Sequence, residues 1–220
     1  MRYLELRKLK KAYQGKPILS GVDFSASKGE FLAIMGRSGS GKSTLLHLMA
    51  GIEKIDSGDY FLDGVNLAGV SEKKFAKLRN REIGYILQSY ALIPNMTVYQ
   101  NIMLPLQLRK NFGTVTEQYL EHLAKRLKVT ELLNKRVSKL SGGEKQRVAI
   151  ARALIIKPKV ILADEVTGAL DEETAREVMQ LLVQLSKEGN TIIMVTHNRW
   201  IAEYADRILY LENGILRVKE

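Results

Sequence analysis

Short blocks of uninterrupted apolar residues alternate with amphipathic stretches along most of this chain. That is the pattern of a layered α/β domain whose central strands are covered on both faces. Glu30–Met35 (EFLAIM) is mostly apolar and is followed at once by Gly36, so it predicts a buried strand ending in a loop. Ile83–Leu87 and Val160–Ala163 predict two more such strands, and Thr191–Val195, rich in β-branched residues, a further one. Helical spacing takes over from Lys42, where Leu45, Leu46, Leu48 and Met49 form an apolar side that stops near Gly51. Glu172–Glu188 carries Ala175, Val178, Met179, Leu182 and Leu185 at the same period and is closed by Gly189. The middle departs from the alternation. Between about Thr97 and Lys139 no buried strand stands out, while Leu120, Leu123, Ala124 and Leu127 within Val115–Leu127 are spaced for a helix. Residues 89–155 therefore read as a mostly helical insertion between two parts of an α/β core, 1–88 and 156–220, in one domain without internal repeats.

Composition narrows the class without naming a function. Hydrophobic residues at 45% and charged residues at 26% are ordinary for a globular chain and exclude a disordered one. No apolar run approaches the roughly 18 residues needed to cross a bilayer. Met1–Glu5 lacks the basic-then-apolar order of a secretory signal, so a soluble intracellular protein is expected. The absence of cysteine excludes a disulfide scaffold, a thiol nucleophile and a Cys-based zinc or iron–sulfur site. The net charge of +10 asks for a polyanionic neighbour: a nucleotide, a nucleic acid or an anionic membrane face. Because the basic residues are scattered (Lys8, Lys10 and Lys11; Lys73, Lys74 and Lys77; Lys135, Arg136 and Lys139), no nucleic-acid arm is expected.

Three places carry chemistry. Gly36-Arg37-Ser38-Gly39-Ser40-Gly41-Lys42-Ser43 fits G-x-x-x-x-G-K-[ST] and stands between a predicted strand and a predicted helix, the context that pattern requires. Its glycines let successive N–H groups turn inward toward phosphate oxygens, and the helix N-terminus adds its dipole. Lys42 can bridge the outer phosphates and the Ser43 hydroxyl can hold Mg²⁺, so a nucleoside triphosphate is the expected ligand. Second, the Val160–Ala163 strand runs into Asp164 and Glu165 at the strand end where ligands sit in a parallel sheet. Adjacent strand residues face opposite sides, so the two acids are expected to divide the work: Asp164 in the Mg²⁺ shell, Glu165 taking a proton from an attacking water. Third, in Leu140-Ser141-Gly142-Gly143-Glu144-Lys145-Gln146 the pair Ser141 and Glu144 forms an S-x-x-E capping box, and Ser-Gly-Gly offers N–H groups and a hydroxyl to an anion.

Taken in order with His197, these segments resemble the ATP-binding cassette (ABC) ATPases along nearly the whole chain. The resemblance implies a P-loop NTPase core, a mixed sheet flanked by helices with an N-terminal antiparallel β part, plus an inserted α-helical subdomain. It implies ATP and Mg²⁺ as ligands, with Gly36 to Thr44 on the phosphates and Tyr13 stacked on adenine. Gln88 looks like the family's Q-loop residue, joining Ser43 and Asp164 around Mg²⁺. Lys42, Gln88, Glu165 and His197 would be the catalytic set, with His197 on the γ-phosphate and the attacking water. Two copies would meet head to tail, Leu140, Ser141, Gly142, Gly143 and Glu144 of one completing the other's site, and Asp171 of Gly168-Ala169-Leu170-Asp171 reaching across. A separate transmembrane permease is the implied partner, nucleic acid is not, and the expected location is the cytoplasmic face of the cell membrane. Leu92–Val98, Asn101–Leu106 and Thr167–Asp171 are similar to the macrolide-exporter and lipoprotein-release class, some of which serve antimicrobial-peptide export. A signalling ATPase on a cell-division-type membrane partner is the alternative. Arg37, Val166 and Asn198 depart from the usual Pro, Pro and Asp of the family. His47, His122 and Trp200 read as ordinary helix, surface and packing residues.

Overall fold

The computed structural model describes residues 2–107, 117–168 and 170–218. Four strands, β1 (Arg2–Tyr13), β2 (Lys16–Ser27), β4 (Ser57–Leu62) and β5 (Val65–Asn66), form an antiparallel sheet in the order β2-β1-β4-β5. Six others, β3 (Phe31–Met35), β6 (Ile83–Ile86), β7 (Val160–Asp164), β8 (Thr191–Thr196), β9 (Arg207–Glu212) and β10 (Ile215–Arg217), form the second in the order β10-β9-β3-β8-β7-β6. All neighbours in this second sheet run parallel except the β9–β10 hairpin. The helices are α1 (Lys42–Met49), α2 (Glu72–Glu82), α3 (Val98–Gln107), α4 (Glu117–Arg126), α5 (Gly142–Leu154), α6 (Glu172–Lys187) and α7 (Arg199–Ala202).

The apolar blocks become the central strands because both faces of this sheet are covered. Every residue of β3, β7 and β8 is buried. Successive β3 side chains feed two cores. Phe31, Ala33 and Met35 join the cluster with α5, α6 and the helices of the insertion, while Leu32 and Ile34 join the one with α1 and the antiparallel sheet. The strands are close to their expected bounds, with β7 and β8 each one residue longer and β3 and β6 each one shorter at one end.

Strand order places the site. β3, β8 and β7 are parallel neighbours in register, Met35 beside Thr196 and Val195 beside Asp164. Their carboxyl ends therefore deliver the Gly36 loop, His197 and Glu165 to a single edge, and β6 adds Gln88 just beyond Ile86.

β1 and β2 carry the alternation poorly. The β1–β2 register shifts four times, Lys8 has a positive φ of 48°, and a side chain at Gly58 of β4 would meet the Lys8 carbonyl oxygen at 2.5 Å. Between β6 and β7, the described residues form α3, α4, α5 and two short 3₁₀ turns (Thr130–Leu132 and Val137–Lys139), with one isolated bridge from Thr97 to Arg136. Val115 and Thr116 of the predicted Val115–Leu127 helix lie outside the described residues. The side chain of buried Asn101 in α3 accepts from Ile93 N and donates to the Ile93 and Thr97 carbonyls, fixing the turn that leads into this helix.

Candidate functional site

The phosphate-type loop leaves β3 at Gly36, where a Cβ would stand 2.7 Å from both Leu211 O and Ser40 Oγ, so the turn accepts glycine alone. α1 opens from Gly41 in the left-handed region (φ 98°) with no side-chain cap, which leaves its first N–H groups for a ligand. Lys42 is 7% exposed, and its ammonium donates to the carbonyls of Gly36 (2.9 Å) and Arg37 (3.1 Å), curling back over the loop. Arg37, Ser38 and Gly39 are exposed. A cleft of about 850 Å³ reaches from Arg37 to the β9–β10 turn at Asn213.

A second cleft of about 480 Å³ collects the predicted groups. Gly39, Gly41, Lys42, Ser43, Thr44, Gln88, Glu165 and His197 all line it. Ser43 Oγ donates to Asp164 Oδ1 at 3.2 Å across 121 positions of sequence. Burial raises the Asp164 carboxyl above its ordinary range, while the Ser43 hydrogen bond, His47 and Lys42 pull the other way. A hydroxyl and a buried carboxylate side by side are hard oxygen donors that fit Mg²⁺. Among the described residues no group of three or more His, Asp or Glu could hold an ion by itself. Such an ion would therefore need phosphate oxygens and water to complete its shell, as Mg²⁺ at nucleotides does.

Glu165 corrects one expectation. The two acids are not separated by strand alternation, because Glu165 has already left β7. Its φ is +46°, and its N–H donates to Val195 O at 3.1 Å while its carbonyl accepts from Gly168 N. That left-handed turn carries its carboxylate away from Asp164 to meet β8, where Oε2 accepts from Thr196 Oγ1 (3.3 Å) and Oε1 lies 2.8 Å from His197 Nδ1. The Glu165 side chain is 12% exposed and that of His197 69%, so the pair has a fixed inner member and an open outer one. Val166, where the family pattern has Pro, is buried.

Tyr13, at the end of β1, is 42% exposed. Its hydroxyl donates to Glu53 Oε2. The Lys11 ammonium lies 5.4 Å from the Tyr13 ring centre. Glu53 Oε1 is 3.1 Å from His47 Nδ1, so this acid ties β1 to α1. His47 is thus a partnered helix residue, and His122 is exposed. Trp200 packs against the core with its ring 5.7 Å from Tyr204 and 5.1 Å from the Arg176 guanidinium.

Tyr13 lines neither cleft, and two further predicted elements stand outside this one. Ser141 is the N-cap of α5, its hydroxyl accepting from Glu144 N (3.2 Å) while its own N–H donates to Glu144 Oε2 (2.7 Å). Leu140 is buried beneath the turn, whereas Ser141 and Gly142 are exposed and Gly143 half-buried. Asp171 caps α6, accepting from Thr174 N (2.9 Å) and Thr174 Oγ1 (2.8 Å), and those bonds hold its carboxyl below its ordinary value. Ala169, in the segment before it, lies outside the described residues.

Three functional neighbours escape a reading of the sequence. Thr196 extends the apolar TIIMV run by one polar residue and touches Glu165. Glu53 stands 40 positions from Tyr13, in the bend that follows α1. Arg152 of α5, largely desolvated, donates to the carbonyls of Tyr90 (2.6 Å) and Ala91 (2.5 Å), both in the left-handed region just after Gln88. Its one legible signal is a cation inside the apolar VAIARAL stretch.

The family described as ABC transporter matches residues 19–168. The lipoprotein-releasing system ATP-binding protein LolD of Legionella pneumophila (strain Lens) is 44% identical over 204 residues, covering 92% of this chain and 90% of its own. The bacitracin export ATP-binding protein BceA of Halalkalibacterium halodurans is 38% identical over 219 residues, 97% of this chain and 87% of its own. The bacterial ABC transporter cassette MJ0796, solved as a dimer, superposes with a TM-score of 0.90 at 36% identity over 99% of this chain and 97% of its own. The same cassette matches equally in a post-hydrolysis state bound to ADP and Pi.

Proposed function

The chain belongs to the ABC transporter family as an ATP-binding, ATP-hydrolysing domain, and from that premise we propose that its turnover drives a separate membrane permease of export or envelope-extraction type. The named activities of the LolD and BceA relatives, lipoprotein release and bacitracin export, support that type. Among the described residues no helix is long and apolar enough to cross a membrane, which agrees with a chain that works on a partner at the cytoplasmic face.

One observation carries the chemistry: the Glu165–His197 contact of 2.8 Å opens onto the same cleft as Lys42, Ser43 and Gln88. In the proposed mechanism the N–H groups of the Gly36–Thr44 segment bind the phosphates. Lys42 exchanges its two carbonyl contacts for the outer phosphates, where developing charge is stabilised. Ser43, Asp164 and Gln88 would hold Mg²⁺, which when bound would neutralise phosphate charge. Glu165 accepts the proton of the attacking water at a carboxylate oxygen, and His197 orients that water and the γ-phosphate. Thr196 keeps the Glu165 carboxylate aimed. Tyr13 offers its ring to the base.

The Ser141-Gly142-Gly143 turn, exposed at Ser141 and Gly142, suits the opposite copy's site in a head-to-tail dimer, and Asp171 stands ready to meet that copy, an arrangement supported by the dimeric relative. A Glu165→Gln chain given ATP and Mg²⁺ should run as a dimer in light scattering and should draw a multi-span permease from native membranes. A monomer under those conditions would remove the shared site. Recovery of soluble proteins, ribosomes or DNA alone would remove the transport role.

A further inference from the structure

Tyr13 is held in place from three directions. Behind it, Asp56 accepts from Ala12 N (2.8 Å) and from the Lys11 ammonium (2.9 Å), which fixes the end of β1. The same Lys11 lies near the ring face. At the ring's tip the hydroxyl donates to Glu53, whose second carboxylate oxygen is at 3.1 Å from His47 Nδ1. His47 lies in α1, the helix that begins with Lys42. An aromatic side chain that is 42% exposed would ordinarily sample several rotamers. Here a half-buried carboxylate with a partner on each oxygen restricts it and registers the ring against the helix that carries the phosphate-binding groups.

We propose that Glu53 is a positioning residue for base recognition: through its two contacts it sets the Tyr13 ring at a fixed offset from α1, so that an adenine base and its phosphates are bound at one spacing. This rests on the reading of Tyr13 as the base platform. Glu53 does not touch the nucleotide; it acts through Tyr13. Its contribution appears with a ligand that carries a base and vanishes with one that does not.

The test is calorimetric binding of ADP and of inorganic tripolyphosphate, which has phosphates and no base, to the full chain and its variants. Glu53→Ala is expected to weaken ADP about tenfold, the scale of one base–aromatic stack, and to leave tripolyphosphate unchanged. Glu53→Gln, whose amide can still accept from Tyr13 and donate to His47, should restore most of the ADP affinity. Tyr13→Ala should lose at least as much, and adding Glu53→Ala to it should cost nothing further, because the two act as one unit. Equal weakening of both ligands in Glu53→Ala would make Glu53 a support of α1 and overturn the proposal. So would full additivity of the pair, or an unchanged ADP affinity in Glu53→Ala beside a weakened Tyr13→Ala. If Tyr13→Ala itself binds ADP normally, the platform reading fails first and takes the positioning role with it.

Discussion

Two helix N-termini of the chain, those of α1 and α5, are finished in opposite ways. α1 has no side-chain cap: Gly41 provides only a left-handed turn, and the buried ammonium of Lys42 rests on two carbonyls of its own loop. α5 carries a capping box of its own, since Ser141 and Glu144 satisfy each other reciprocally. The first arrangement leaves N–H groups open and holds Lys42 by contacts that a phosphate could displace, as the proposed mechanism requires. The second is a finished surface with two spare N–H groups, at Gly142 and Gly143, that the helix cannot use. Capped for its own helix and set outside its own cleft, the turn fits the role in the opposite copy's site that we propose for it.

The sharpest way to break this contrast is at the cleft's own chemistry. Glu165→Gln should lower turnover by about 10²–10⁴-fold, the usual worth of a positioned proton acceptor, while ADP binding to the isolated chain stays normal in calorimetry. Near-normal phosphate release would show that the proton goes elsewhere. At the other terminus, Ser141→Arg should cut hydrolysis by about 100-fold or more, on the scale of one lost electrostatic donor, again without weakening ADP in the isolated chain. If it weakens both, the turn serves its own cleft and the contrast between the two termini collapses.

A smaller effect is expected beside Glu165. Thr196→Val keeps the shape of β8 and removes the hydrogen bond to Oε2, which should slow turnover roughly fivefold, in line with about 1 kcal/mol for such a bond. Steady-state kinetics showing a change in KM alone would place Thr196 in binding instead. Last comes stability. Because the folded Asp164 carboxyl takes its proton at a higher pH than the unfolded one, its charge costs stability above the raised folded pKa, and that cost fades as pH falls through it. Asp164→Asn should therefore raise Tm at neutral pH, and the gain should shrink on acidification. A Tm gain that is constant with pH would mean that burial of the charge is not its source.

Much of this was readable because it is local. The Gly36–Ser43 loop, the apolar run into Asp164 and the Ser141–Glu144 box are contiguous segments whose spacing encodes their geometry, and each sits within a residue or so of its expected place. β1 and β2 were not readable from periodicity: their register shifts, with Lys8 in the left-handed region, break the alternation on which strands are recognised. Their antiparallel pairing was expected through family resemblance only. The turn at Glu165 was missed for a related reason. Nothing in Ala163-Asp164-Glu165 marks where the strand ends and the positive φ begins. Contacts such as Glu53 with Tyr13, 40 positions apart, and Ser43 with Asp164, 121 apart, exist only once the sheets are assembled. The strand-end rule anticipated the second. Nothing anticipated the first.

Arg152 has one more consequence. It sits eleven positions along from Ser141, about 16 Å at the rise of an α-helix, and it grips the backbone just beyond Gln88 by two carbonyls. Helix and loop are therefore a single mechanical part with a handle at each end. A tilt of α5 that keeps both hydrogen bonds carries with it the backbone that follows Gln88. A machine that needs two distant surfaces to move in step can do so here with one arginine and a rigid rod.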